Sequence, residues 1–210
     1  MLAEPAGGWG FEAVERAAGF TLDPARRAAL ATWLGELCVW NARMDLTAAK
    51  TGDELTELMV TDALVLARMI PTREGAPLRV VDVGTGAGAP GLALALARPD
   101  LALTLVDPLG KRIAFLRPVL GRLRRADVAL VTGRGDSLPA ASFDVAISRA
   151  TLSPDEWLAL GRTLVVPGGE VYVLLTDADA SAPDAYAWPF SGRFRRIVRH
   201  PVAVVPSAVP

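Results

Sequence analysis

The chain has 210 residues, 51 % of them hydrophobic and 21 % charged, a globular composition that supports one main core with an appendage and leaves no room for two full domains. A formal net charge of −1 excludes the strongly basic surface of a general nucleic-acid binder, so any contact with nucleic acid must be local. The single cysteine, Cys38, cannot build a disulfide framework or a thiolate zinc site within the chain; a buried structural thiol and no metal are expected.

The opening "MLAEPAGGWG" is rich in Gly, Ala and Pro and is expected to fray. It lacks the basic start and apolar core of a secretory signal. No apolar run reaches the roughly 18 residues of a membrane span, so a cytoplasmic protein without membrane contact is expected. From Phe11 to about Ile70 the pattern is helical. Asp23 reads as an N-cap and Pro24 as the first helical position, with Leu30, Trp33, Leu34 and Leu37 on one face. Thr51 and Glu54 resemble a capping box for a second helix, carrying Leu55, Leu58, Met59 and Leu66 and stopped by Pro71. The polar stretch "NARMDLTAAKTG" joins the two.

From Leu78 short apolar runs alternate with helical segments, the signature of a parallel sheet covered on both faces. The expected strands are "LRVVDVG", "LALTLVD", "DVALVTG", "FDVAISR" and "GEVYVLLT", with helices starting near Pro90, Gly110 and Pro154. "GRFRRIVRHPVAVVP" reads as one or two closing strands, with Pro201 marking a kink or an edge. The fold class is therefore α/β. A helical extension is expected over residues 1–75 and a Rossmann-like domain over 76–210.

The segment "VVDVGTGAGAPG" sets a glycine-rich turn between a strand and a helix, where a backbone without Cβ atoms can approach a ligand closely. Its glycines satisfy both GxGxG and the dinucleotide fingerprint GxGxxG. Context separates the two. Asp82 precedes the first glycine, where its carboxylate would repel a pyrophosphate but accept from a ligand ammonium or from loop N–H groups. Asp107 ends the next strand, placed to accept both ribose hydroxyls of an adenosine. With the Pro-Gly-Gly turn of "TLVVPGGEVYVLL" between a helix and a strand, these features favour S-adenosylmethionine over NAD. The plainer alternative is a tight strand-to-helix turn with Asp82 as a satisfied core acid.

On "WNARMDLTA", "VVDVGTGAGAPGLALALARPDLALTLVDPLGKRIAFLR" and "FDVAISRA", from about Trp40 to Leu175, the chain resembles the bacterial 16S ribosomal RNA guanine-N7 methyltransferases called GidB or RsmG. The resemblance implies a Rossmann-like methyltransferase with S-adenosylmethionine as cofactor and ribosomal RNA or the 30S subunit as partner. It carries the cofactor-binding positions onto Asp82, Gly84, Thr85, Gly86, Gly88, Asp107 and Pro108, with Arg134 and Gly135 of "GRGDSLP" at the adenine. It implies catalytic positions at Arg149, also beside the cofactor, and Thr47, and substrate contacts at Lys111, Arg112 and Asp45.

Several positions depart from the family pattern. Asp45 stands where the family usually has Asn, Leu58 and Met59 replace an Arg-His pair ahead of the retained Asp62, Thr151 and Leu152 follow Arg149-Ala150 where "SRAFA" is usual, and the basic last strand gives way to "PVAVVPSAVP". The missing histidine does not bar the reaction, because guanine N7 attacks with a lone pair and has no proton to lose. A Leu-Met pair on an apolar helix face is read as core, and the one histidine, His200, as a surface or strand-edge residue. The arginines of "GKRIAFLRPVLGRLRRADV" and "GRFRRIVRH" read either as phosphate contacts or as solvated faces balanced by acids, the second being favoured for Arg122 to Arg125. The tryptophans do not interleave with them, which offers no stacking platform. The alternatives kept open are a methyltransferase acting on another RNA or a small molecule, a non-catalytic S-adenosylmethionine- or RNA-binding module, and a dinucleotide oxidoreductase.

Overall fold

The computed structural model describes residues 2–149, 151–176 and 178–204. Three helices come first: α1 (Phe11–Ala18), α2 (Pro24–Met44) and α3 (Gly52–Met69). Asp23 caps α2 by accepting the Arg26 N–H at 2.8 Å, and Pro24 occupies the first turn, where a missing N–H leaves no bond unmade. Thr51 accepts the Glu54 N–H at 3.2 Å. The expected capping box closes differently, since the Glu54 carboxylate accepts from the Lys50 N–H at 2.7 Å. Thirteen of the 18 residues of α3 are buried, so this helix runs through the interior instead of lying on it.

The sheet has seven strands in the order β3-β2-β1-β4-β5-β7-β6. They are β1 (Arg79–Val83), β2 (Ala102–Asp107), β3 (Ala129–Thr132), β4 (Phe143–Ser148), β5 (Val165–Leu175), β6 (Ala185–Ala187) and β7 (Phe194–Pro201). The first five pair in parallel. β7 runs antiparallel between β5 and β6, which departs from the all-parallel dinucleotide-binding order. Helices α4 (Gly91–Ala97) and α5 (Gly110–Arg122) join α1, α2 and α3 on one face, where Trp33, Leu64, Leu92, Leu105 and Phe115 share a core. On the other face α6 (Pro154–Leu164) sets Trp157 against Val81, Val106, Ala146 and Val171. β1 lies between β2 and β4, so the chain crosses to opposite sides at its carboxyl end and opens a crevice there.

Two expectations are corrected. The N-terminal stretch, expected to be loose, is anchored at two points among its described residues: Trp9 is buried, and Pro5 packs close above Gly52. Pro167-Gly168-Gly169 is not a turn ahead of a strand but an irregularity within β5, where Gly168 adopts φ +84° and the register against β4 shifts between Phe143 and Val145. β6 escapes a sequence reading because three residues carry no periodicity. The closing strand ends at Pro201, and the part of "GRFRRIVRHPVAVVP" from residue 205 onward lies outside the described residues. Cys38 is buried as expected, and burial pushes its thiol pKa up.

Two buried side chains tie α2 and α3 to the segment between β1 and β2. Arg98, in the "ARPDL" block, is almost fully buried and donates through Nη1 to the Ala67 and Ile70 carbonyls at 2.8 Å each, satisfying the carbonyls that α3 leaves unpaired at its end. Trp33 of α2 donates its indole N–H to the Ala87 carbonyl of the glycine turn at 3.1 Å, with no part of the side chain exposed. Replacing it by Phe keeps most of the apolar volume and orphans a buried carbonyl. We expect Trp33→Phe to lower unfolding stability by about 1–3 kcal/mol, measured by urea titration; an unchanged midpoint would contradict the role assigned to this bond.

Candidate active site

At the carboxyl ends of β1, β2 and β4 lies a cavity of about 530 Å³. One wall is the glycine turn, Gly84, Thr85 and Gly86, with Asp107, Pro108 and Arg112. The opposite wall is Thr47 from the α2–α3 connection and Leu58 and Met59 of α3, while Arg149 and Thr151 line it beyond β4. A smaller cavity of about 170 Å³, lined by Arg134, Gly135 and Asp136, shares Gly84, Pro108 and Thr151 with the first.

The turn takes its shape from the backbone upward. Gly84 has φ +77°, a left-handed conformation that L side chains rarely adopt, and a Cβ there would sit 2.2 Å from Thr151 Oγ1. Gly91 opens α4, and a Cβ there would lie 2.5 Å from Asp82 Oδ2, which accepts the Gly91 N–H at 2.8 Å. Of the two partners the sequence left open for Asp82, the loop N–H is the one the structure supplies. The side chain is wholly buried beneath the turn and does not line the cavity. Burial pushes its pKa up to about 6, against the Thr85 hydroxyl, the Gly91 N–H and the Arg149 charge, which favour the ionised form. The Thr85 hydroxyl is near without meeting hydrogen-bond geometry, so Asp82 Oδ1 and Thr85 Oγ1 are both buried without a partner among the described residues.

Asp107 is equally buried and fully engaged. Oδ2 accepts the Gly86 N–H at 2.9 Å and Arg112 Nη1 at 3.2 Å, and Oδ1 accepts the Leu109 N–H at 2.9 Å. Arg112, expected at the RNA, lines the cavity and is paired with the acid at the end of β2. Arg149 Nη1 donates to the Leu58 carbonyl at 2.5 Å and to Asp62 Oδ2 at 3.2 Å. Thr47 is held by its own N–H, which donates to Asn41 Oδ1 at 2.9 Å.

The structure therefore brings Thr47, Gly84, Thr85, Gly86, Asp107, Pro108, Arg112 and Arg149 to one cavity, and Arg134 and Gly135 to its neighbour. Asp82 and Gly88 support the turn without lining either. Asp45 and Lys111 are exposed and outside the lining. Asp45 ends α2 at φ +49°, a left-handed conformation that Asp tolerates better than most residues. Leu58 and Met59 pack on the core, as expected of an apolar helix face, yet also form the cavity wall. The residues sequence reasoning missed are Trp33, Asp62 and Thr151. The first two carry bonds to segments distant in the chain, and Thr151 packs on Gly84. Arg122 and Arg125 are paired with Glu36 and Asp127. One arginine does meet a tryptophan, Arg195 stacking 3.9 Å from the Trp188 ring centroid, but Trp188 is buried and offers no face to a base. Among the described residues no group of three or more His, Cys, Asp or Glu is placed to hold a metal ion, and no helix is long and apolar enough to cross a membrane.

A family model described as GidB, rRNA small subunit methyltransferase G, matches residues 26–184. The chain belongs to the GidB family. The GidB relative from Myxococcus xanthus, a ribosomal RNA small subunit methyltransferase G, is 35 % identical over 201 residues, covering 87 % of this chain and 91 % of that protein. Its namesake from Anaeromyxobacter dehalogenans strain 2CP-C is 38 % identical over 175 residues, covering 80 % and 79 %. Among solved structures, a protein of Pyrococcus horikoshii described as a transferase superposes with a TM-score of 0.53 at 12 % identity, covering 72 % of this chain and 68 % of that one. TYW2 of the same organism, in complex with MeSAdo, gives 0.50 at 10 % identity, covering 70 % and 63 %. These two likenesses establish the Rossmann-like fold. GidB membership makes the chain an S-adenosylmethionine-dependent methyltransferase.

The raised pKa of Asp82 makes a testable demand on stability. A carboxyl whose folded pKa, about 6, exceeds its free value of 3.8 contributes stability in full below pH 4, and that contribution is lost as pH rises through 6. Relative to Asp82→Asn, the wild type should lose about 2–3 kcal/mol between pH 4 and 7 in urea titrations; parallel pH profiles would contradict the assignment.

Proposed function

We propose that the chain transfers the methyl group of S-adenosylmethionine to guanine N7 in small-subunit ribosomal RNA, acting on the 30S subunit in the cytoplasm. The observation carrying this reading is that one cavity joins the glycine turn and Asp107 to a wall supplied by the N-terminal helices and Arg149. In this reading residues 1–75 form an extension that shapes the acceptor side, and residues 76–210 form the domain that holds the methyl donor.

The residues present fit that donor. Gly86 leaves its Cβ position open except for Arg112 at 3.7 Å, so a ligand can lie against the backbone, and Thr85 Oγ1 is a buried polar atom still lacking a partner. Asp107 would accept from the ribose hydroxyls, with Pro108, Arg134 and Gly135 around the adenine. When bound, S-adenosylmethionine supplies an electrophilic methyl group on a sulfonium centre. Leu58 and Met59 offer an apolar wall against which a planar base can lie. Arg149 offers N–H donors, and guanine presents O6 and N7 side by side as acceptors on one edge, so a donor at O6 would orient N7 toward the methyl group. No base is required, because N7 carries a lone pair and no proton. The contribution of the chain is alignment.

Labelled S-adenosylmethionine incubated with 30S subunits lacking the N7 methyl group should transfer label to a guanine. Binding of S-adenosylmethionine without transfer would point to another acceptor. Asp107→Ala should weaken S-adenosylmethionine at least about tenfold in calorimetric titration, the loss of charge-assisted bonds to the ribose; unchanged affinity would refute the ribose assignment. Arg112 competes for the same carboxylate oxygen, so Arg112→Gln should tighten S-adenosylmethionine about two- to fivefold, the order expected when one ion pair, open to solvent on its arginine side, no longer has to be broken. Weaker binding would show that Arg112 itself holds the ligand.

A further inference from the structure

Asp62 is buried in the middle of α3, and its two oxygens serve different segments. Oδ2 pairs with Arg149 Nη1 at 3.2 Å. Oδ1 accepts the Tyr186 hydroxyl and the Trp188 indole N–H, each at 2.8 Å. Tyr186 lies on β6 and Trp188 just beyond it, at the edge of the sheet farthest from β3, and Arg195 of β7 covers the Trp188 ring. Burial, reinforced by the Asp62 charge, raises the Tyr186 pKa, so the hydroxyl stays a donor.

We propose that Tyr186 and Trp188 are positioning residues for methyl transfer, acting through Asp62 to fix the Arg149 guanidinium at the cavity wall. A carboxylate can rotate about its Cβ–Cγ bond, and a guanidinium at the end of an arginine has several rotatable bonds. With Oδ1 bound by two donors the carboxylate is held in one orientation, which presents Oδ2 to Arg149. Nη1 is thereby committed to Asp62 and the Leu58 carbonyl, and no other guanidinium nitrogen of Arg149 bonds to a described residue. Those N–H groups are what Arg149 can offer to an acceptor. A purely structural network would tie the β6–β7 hairpin to α3 equally well, but its loss would not act through Arg149.

The proposal rests on the reading of Arg149 as an acceptor-side residue, and a double-mutant cycle tests it. Tyr186→Phe keeps the ring and removes the hydroxyl; Arg149→Lys keeps the charge and removes the planar fork. In the wild-type background Tyr186→Phe should lower the rate of label transfer to 30S subunits about tenfold, with S-adenosylmethionine affinity unchanged; in the Arg149→Lys background it should lower the remaining rate no further. The same loss in both backgrounds, or no loss in either, would overturn the proposal. Trp188→Phe, which removes the other donor, should repeat the pattern and serves if Tyr186→Phe does not fold. If the wild type transfers no label to the subunits, the substrate reading fails on its own, and the proposal is then decided by nuclear magnetic resonance of the Arg149 guanidinium. Tyr186→Phe or Trp188→Phe should release its hindered rotation and broaden its N–H signals, whereas signals identical to the wild type would overturn it.

Discussion

Three buried polar side chains hold the turn between β1 and α4, and the cavity exists because they do. Asp82 accepts the Gly91 N–H from below, Asp107 accepts the Gly86 N–H from the next strand, and Trp33 donates to the Ala87 carbonyl from the helical layer. A turn this rich in glycine has a large conformational entropy to lose, roughly 1–2 kcal/mol per ordered residue. Bonds from three directions offset that loss before any ligand arrives, so ligand binding need not order the loop as well. The cost is a carboxylate with no exposure to solvent, visible in the raised pKa of Asp82.

The same logic extends outward through α3. Arg98 closes its carboxyl end, Glu57 accepts the Phe190 and Ser191 N–H groups at 2.6 and 2.9 Å, and Asp62 reaches the end of β4 and the hairpin beyond β5. Leu58 and Met59 lie between Glu57 and Asp62, so the apolar part of the cavity wall sits on the most firmly tied stretch of the helix. Positioning of an acceptor against a methyl donor tolerates little displacement. In this chain the two walls come from different layers, and these buried bonds set their separation.

Much of this was legible in the sequence. The parallel strands stood out because burial on both faces makes them continuous apolar runs, Asp23 and Thr51 announced their helices through capping chemistry, and Asp107 was marked by its place at a strand end. What stayed hidden was long-range. Trp33 looked like one more apolar position on a helix stripe, and nothing local shows that its N–H meets a carbonyl 54 residues later. Asp62 had no visible partner until β6 was in place, and β6 owes its existence to pairing with β7. Asp45 invited a functional reading from its charge, and its left-handed backbone angle was not visible in the sequence. Arg112 was read as an RNA contact from its position in a motif, and no local pattern announced its bond to Asp107 Oδ2, an oxygen shared with the Gly86 N–H.

The central claim is that the turn is already shaped for its ligand in the free protein. Amide hydrogen exchange at Gly86 and Gly91, resolved residue by residue without S-adenosylmethionine, measures it most directly. Because Asp107 and Asp82 accept these two N–H groups, both amides should exchange far more slowly than in an unstructured chain, with protection at Gly91 comparable to that of the neighbouring core strands. Exchange at the unstructured rate, slowing only when S-adenosylmethionine is added, would show that the ligand builds the turn and would contradict the account.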